Sequence, residues 1–126
     1  MRCGEGAAPA GALESGRVLD SAALGQALRQ LLARSEITAT RALIAASDAI
    51  ASFRVVTFPK GTPDAEIDAS VRRELNLGSD RMAMRHVELS VDPEVRTIFA
   101  VMWDQSQVQA IAAAARHAGL DPAVWI

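Results

Sequence analysis

The sequence predicts an α+β domain, with a mixed or mainly antiparallel sheet and three helices packed against it. Three observations predict it. The 126 residues are half apolar and 22% charged, a balance that folds and is long enough to bury one core. Three segments carry apolar residues at helical spacing, each with capping residues at its start. Between them lie short β-branched runs that come in neighbouring pairs separated by turn residues, the pattern of hairpins beside helices.

The elements follow in order. Residues 1–16, "MRCGEGAAPAGALESG", are small and turn-rich with no sustained period, so they read as a loop or an extended edge. The irregular connection is set at residues 1–13 and the folded module at 14–126. "RVLD" (17–20) is a short strand candidate. In "DSAALGQALRQLLARS" the residues Leu24, Ala27, Leu28 and Leu31 keep the i, i+3, i+4, i+7 spacing of an amphipathic helix. Asp20 or Ser21 can cap it through a side-chain oxygen, and Arg29 and Arg34 sit late in it, where the helix dipole favours cations.

"RALIAA" (41–46) and "IASFRVVTF" (50–58) flank "SD" at 47–48 and read as a first hairpin, closed by Pro59. Thr62-Pro63-Asp64 then starts a second helix, with Thr62 as cap, Pro63 in the first turn and Asp64 at the positive end of the dipole. Ile67, Val71 and Leu75 form its apolar stripe, and "NLGSD" breaks it. "MAMRHVEL" (82–89) and "VRTIFAVMW" (95–103) flank the turn "SVDPE" as a second hairpin. The later strand is nearly all apolar, as a central strand is. Asp104 caps the last helix, and Gln107 three residues on fits a capping box. Val108, Ile111, Ala112 and Ala115 face inward. Gly119 supplies the left-handed residue that ends a helix, and Asp121-Pro122 turns the chain into a final strand, "AVWI".

Composition excludes several functions. Thirteen basic and fifteen acidic residues are interspersed, for a net charge of −2, with no basic stripe for nucleic acid. All the basic residues but Lys60 are arginine, which together with abundant alanine reflects base composition more than function. The single Cys3 allows no intramolecular disulfide and offers no metal-ligand spacing. No apolar run approaches the ~18 residues that cross a bilayer, so direct membrane insertion is not expected. Gly4-Glu5-Gly6 precedes no helix pattern and is no phosphate cradle, and no GxSxG elbow or GxxxxGK[ST] loop occurs. Asp64 and Glu66 begin a helix, where carboxylates serve the dipole. His86 and Glu88 lie two apart in a strand and so share a face, the only pair resembling a proton-transfer couple. His117 sits in a last helical turn, a structural position.

The order of segments resembles the insert domain of the type IV pilus assembly protein PilM. The matching residues are Gly16, Val18 and Asp20 of a "G-x-(I/V)-x-D" step, Leu31-Leu32 at a helix end, Ala42, Leu43 and Ser47 around a strand, and Phe58-Pro59 closing a hairpin. "DAEIDASVRREL" is similar to the helix after that proline, with Glu74 at an acidic position. "VQAIAAAARHAGLDPAVWI" is similar to the closing segment through Ala118, Gly119, Leu120 and Pro122. The resemblance covers roughly residues 14–126. It departs at "NLGSDRMAM", where the family usually has a proline step. The family's actin-like ATPase core lies outside it, and that core's phosphate loops have no counterpart here.

The resemblance implies a strand-helix-strand-strand type interaction module, also found in the cell-division protein FtsA and related in plan to the cytoplasmic part of the secretion protein GspL. In PilM-like proteins it sits beside the actin-like core and helps form the groove for the N-terminal peptide of PilN; in FtsA-like proteins it takes part in subunit contacts. The expectation is a non-catalytic segment cut from a longer actin-like ATPase, with "AVWI" running on into the core. Its partner is a PilN-like peptide or a second copy, with no cofactor, metal or nucleic acid. Its place is the cytoplasm, at the inner face of the membrane through partners. The candidates for partner contact are Arg54 and Thr57 on the first hairpin, Arg72 and Arg73 on the second helix, and Trp125 at the last strand, aromatics being enriched at interfaces. Two alternatives stand beside this. One is a small α+β enzyme using His86 and Glu88; the other is a ligand-binding regulatory domain with an apolar site.

Overall fold

The computed structural model describes residues 1–74, 81–89 and 92–125. Among them are three α-helices and mostly antiparallel strands, an α+β fold. The chain divides into two compact units, Met1–Ile50 with Gln105–Ile126, and Ala51–Asp104.

In the first unit, β1 (Leu13–Glu14) and β2 (Arg17–Val18) form a tight antiparallel hairpin. Its two-residue loop, Ser15-Gly16, has φ of 49° and 77°, the positive pair that matches the twist of the flanking strands. Helix α1 (Ser21–Arg34) is capped as predicted: the Asp20 carboxylate accepts from the Ala23 amide at 3.0 Å. The strand β3 (Arg41–Ala45) precedes a single 3-10 turn at Asp48–Ile50. Helix α3 (Gln105–His117) ends at Gly119, whose φ is 82°. There the Leu120 amide donates to the Ala115 carbonyl and the Gly119 amide to Arg116, the two bonds of a Schellman stop. The chain then enters β7 (Asp121–Trp125), two residues earlier than the sequence suggests.

The predicted first hairpin does not form. β3 pairs in parallel with β7, from Arg41 beside Asp121 to Ala45 beside Trp125. Its inward residues Ala42 and Ile44 pack with Leu28 and Leu32 of α1 against Ala115, Ala118 and Leu120. With β3 paired to β7, the strand after it pairs with a longer partner. Gln107, assigned from sequence to a capping box, is buried and pairs with β2 through its side-chain amide. Its Oε1 accepts from the Val18 amide at 2.7 Å, and its Nε2 donates to the Val18 carbonyl at 3.2 Å.

The second unit runs strand, helix, strand, strand: β4 (Ala51–Pro59), α2 (Asp64–Glu74), β5 (Met82–Glu88) and β6 (Val95–Asp104). The sheet order is β4-β6-β5, all antiparallel, so the nearly all-apolar β6 is central, as expected. The predicted second hairpin is β5–β6; Ser90 and Val91 of its turn lie outside the described residues, as do Leu75, residues 76–80 and Ile126. On one face of the sheet Ile98 and Ala100 meet Ile67 and Val71, the two described members of the predicted stripe, with Phe58 and Met84 packed alongside. At the start of α2 the Pro63 carbonyl accepts from the Glu66 and Ile67 amides, while the Thr62 hydroxyl donates to Pro59. Ala51 and Trp103 are register partners, so this unit begins and ends on adjacent strands.

Candidate partner-binding surfaces

Charge in the second unit is concentrated on the α2 side of the sheet. Arg96 reaches from β6 as a hub. Its Nε and Nη2 donate to the two Glu88 oxygens at 3.1 and 2.9 Å, Nη2 also donates to Asp64 at 2.7 Å, and Nη1 donates to the Thr62 carbonyl at 2.6 Å. The hydrogen bonds to Glu88, and next to Asp64, hold the guanidinium pKa above its ordinary value. One arginine thus ties two strands to the first turn of α2.

This arrangement decides how the histidine–glutamate pair reads. His86 and Glu88 do share the α2-facing side of β5, as strand alternation requires. Their partners differ, however. Glu88 is engaged by Arg96, whereas the His86 Nε2 lies 4.0 Å from Asp68, whose other oxygen accepts from Arg72 at 3.2 Å. The fork of Arg96 donors occupies the Glu88 carboxylate while His86 faces Asp68, so the two side chains are directed to different partners.

The predicted contact residues are distributed over both units. Arg54 is exposed on the α2-facing side of β4, and its Nη1 donates to the neighbouring Phe53 carbonyl at 2.9 Å. Thr57 is exposed on the opposite face of the same strand. Arg73 is exposed on α2, and Arg72 is joined to Asp68 one turn away. Trp125 stands exposed at the end of β7 in the other unit, where its carbonyl accepts from the Ala46 amide. Arg54 and Thr57 share a strand but not a face.

For a ligand, the first unit has an open depression of about 460 Å³ between residues 6–9 and α1, lined by Leu13, Leu24, Leu28 and Leu31 with Gln30 and Arg34 at its side. Among the described residues no His, Cys, Asp or Glu cluster could hold a metal ion, and no helix is long and apolar enough to cross a membrane.

Sequence reasoning missed the face of β4-β6-β5 turned away from α2. Phe53, Val55, Val87 and Leu89 are all substantially exposed there, and the Phe53 ring stacks on Phe99 with centroids 6.0 Å apart. The signal was present as alternation in "SFRVVTF" and "RHVEL". It was masked because both alternating sets contain apolar residues, and an apolar strand residue reads by default as core.

No protein-family model and no curated protein matches this sequence. Among solved structures, a chain of a PilM-PilN type IV pilus biogenesis complex is similar to this one. The TM-score is 0.68 and the identity 26%, over 92% of this chain and 37% of that chain. This chain therefore spans little more than a third of that relative's length.

Proposed function

We propose that this chain is a protein-interaction segment of a PilM-like type IV pilus assembly protein, non-catalytic in itself, and that its partner is a PilN-like N-terminal peptide. The observation that carries this reading is the structural likeness, at 26% identity over nearly the whole chain, to a chain of a PilM-PilN complex. The finer parts of the proposal extend it. The segment belongs to an actin-like ATPase of the kind related to FtsA, and works in the cytoplasm at the inner membrane face through its partners. The proposed module is residues 14–126, and within it residues 51–104 run strand, helix, strand, strand and begin and end on adjacent strands. Arg54, Thr57, Arg72, Arg73 and Trp125 remain the proposed contacts, and the outer edges of β4 and β5 the proposed sites of strand pairing.

The test is a titration of the intact chain with a fluorescein-labelled peptide copying the N-terminus of a PilN. The reading expects saturable binding, weakened at least about five-fold by Trp125→Ala or Arg73→Glu; binding without saturation, or none, overturns the peptide assignment.

A further inference from the structure

The sheet β4-β6-β5 buries only one of its faces in the described structure. The register places Phe58, Met84, Ile98 and Ala100 toward α2. It places Phe53 and Val55 of β4, Phe99 and Val101 of β6, and Val87 with Leu89 at β5, on the other. An antiparallel sheet with one solvated face normally turns polar residues outward. Here Thr57, Thr97 and Arg85 are the polar exceptions on the described strands, and most of the outward residues are apolar, with Phe53 at 42%, Val55 at 62%, Val87 at 54% and Leu89 at 49% exposure. They are neighbours across three strands, and contiguous apolar patches of this kind mark interaction surfaces. Arg85 is the one charged residue that the described strands turn to this face. It is exposed and has no ion pair among the described residues.

We propose that this face is a docking surface for one amphipathic helix of a protein partner, with an apolar stripe lying over Val55, Phe99 and Val87 and a carboxylate meeting Arg85. Two observations select that occupant. Three strands at ~4.8 Å spacing span about 10 Å, the diameter of one helix. On the opposite side the same three strands are already covered by a single helix, α2, through Ile67 and Val71 one turn apart. The second is charge: among the described residues the face holds a cation and no anion, so its complement carries an acid. A second copy of the face would bring another Arg85 and no carboxylate. An anionic lipid surface calls for several basic residues around the apolar ones, and this face has one. The inference is independent of the pilus reading, since it concerns a helix on the sheet face and not an extended peptide.

The experiment uses the intact chain and two synthetic 18-residue helical peptides with leucine at i, i+3, i+4, i+7 and i+11, one with a single flanking Glu and its twin with Lys. Amide NMR shifts locate binding and fluorescence anisotropy measures it. The Glu peptide is expected to bind at least about ten-fold more tightly than the Lys twin, shifting Val55, Val87 and Phe99. Arg85→Glu reverses that order, and Val55→Asp removes binding while circular dichroism stays native. Equal binding of the twins, an order that Arg85→Glu leaves unchanged, shifts confined to other residues, or no binding overturns the proposal. So does a dimer in sedimentation that Val55→Asp dissolves, or adsorption of the native chain to phosphatidylserine vesicles that the same variant abolishes.

Discussion

Gly25 is the one buried residue of α1, and the reason is the helix against it. A Cβ at this position would stand 2.5 Å from the Ala114 carbonyl oxygen and 2.4 Å from the His117 Cβ, and the first of these is backbone that cannot swing aside. Intrinsic propensity favours Ala over Gly in a helix interior by about 1 kcal/mol, but overpacking typically costs about 1–3 kcal/mol. Gly25→Ala is therefore expected to lower stability, read as a lower urea midpoint with an unchanged slope. Arg96 acts at the same scale through charge. Its pKa is raised in the fold by two carboxylates, so its contribution holds while those carboxylates are ionised and, on the alkaline side, is lost only as the pH passes through the arginine range. Arg96→Lys keeps the charge but loses the fork of donors, and lysine titrates near about 10.4. The variant is expected to melt at a lower temperature than the native chain at pH 7. The deficit should widen as the pH is raised through the lysine range, whereas the native chain should show no such loss from this residue.

At the scale of the element, the two helix stops in the first unit have the same hydrogen bonds but different residues in the left-handed position. Helix α3 places Gly119 there, with φ of 82°. Helix α1 places Glu36 there, with φ of 53°, and bonds Ile37 to Leu32 and Glu36 to Ala33 in the same pattern. A side chain in that conformation costs roughly 1–2 kcal/mol. Gly119→Ala is expected to destabilise by about that amount. Glu36→Gly is expected to stabilise by up to about 1 kcal/mol, since the exposed Arg2–Glu36 ion pair it removes is worth little. Thermal melts of both variants would read opposite shifts. Element choice also explains the failed first hairpin. Consecutive strands are neighbours more often than not, but β4 matches all nine of its residues to β6, whereas β3 has only five to offer. The Gln107 amide is the same lesson in miniature: Ser/Thr/Asp followed by Gln three residues on reads as a local cap, while the fold uses the side chain to hold Val18, 89 residues away in sequence.

At the scale of the whole molecule, the two compact units predict how stability is distributed. Each has its own buried cluster, Ile67, Val71, Ile98 and Ala100 in one and Ala115, Ala118 and Leu120 in the other. Native-state hydrogen exchange is expected to show the amides of residues 51–59 and 95–104 opening as one cooperative group, separate from those of α1, α3 and β7. A single protection value across both sets would contradict this. The α+β class, three helices, the Asp20 cap, the Gly119 stop, the second hairpin and the centrality of β6 were legible in the sequence, because each depends on contacts within a few residues or on a period along one segment. The sequence by itself also determined the inward stripe of Ile67 and Val71, since helical spacing names its own buried face. Only the tertiary structure decided that β3 runs parallel to β7, that β4 joins β6, that Glu88 belongs to Arg96, and that Phe53, Val55, Val87 and Leu89 face outward. The physical reason is common to all four. Pairing between distant segments is settled by which combination buries and hydrogen-bonds the most at once. An apolar strand with two apolar faces does not announce which of them the one available helix will cover.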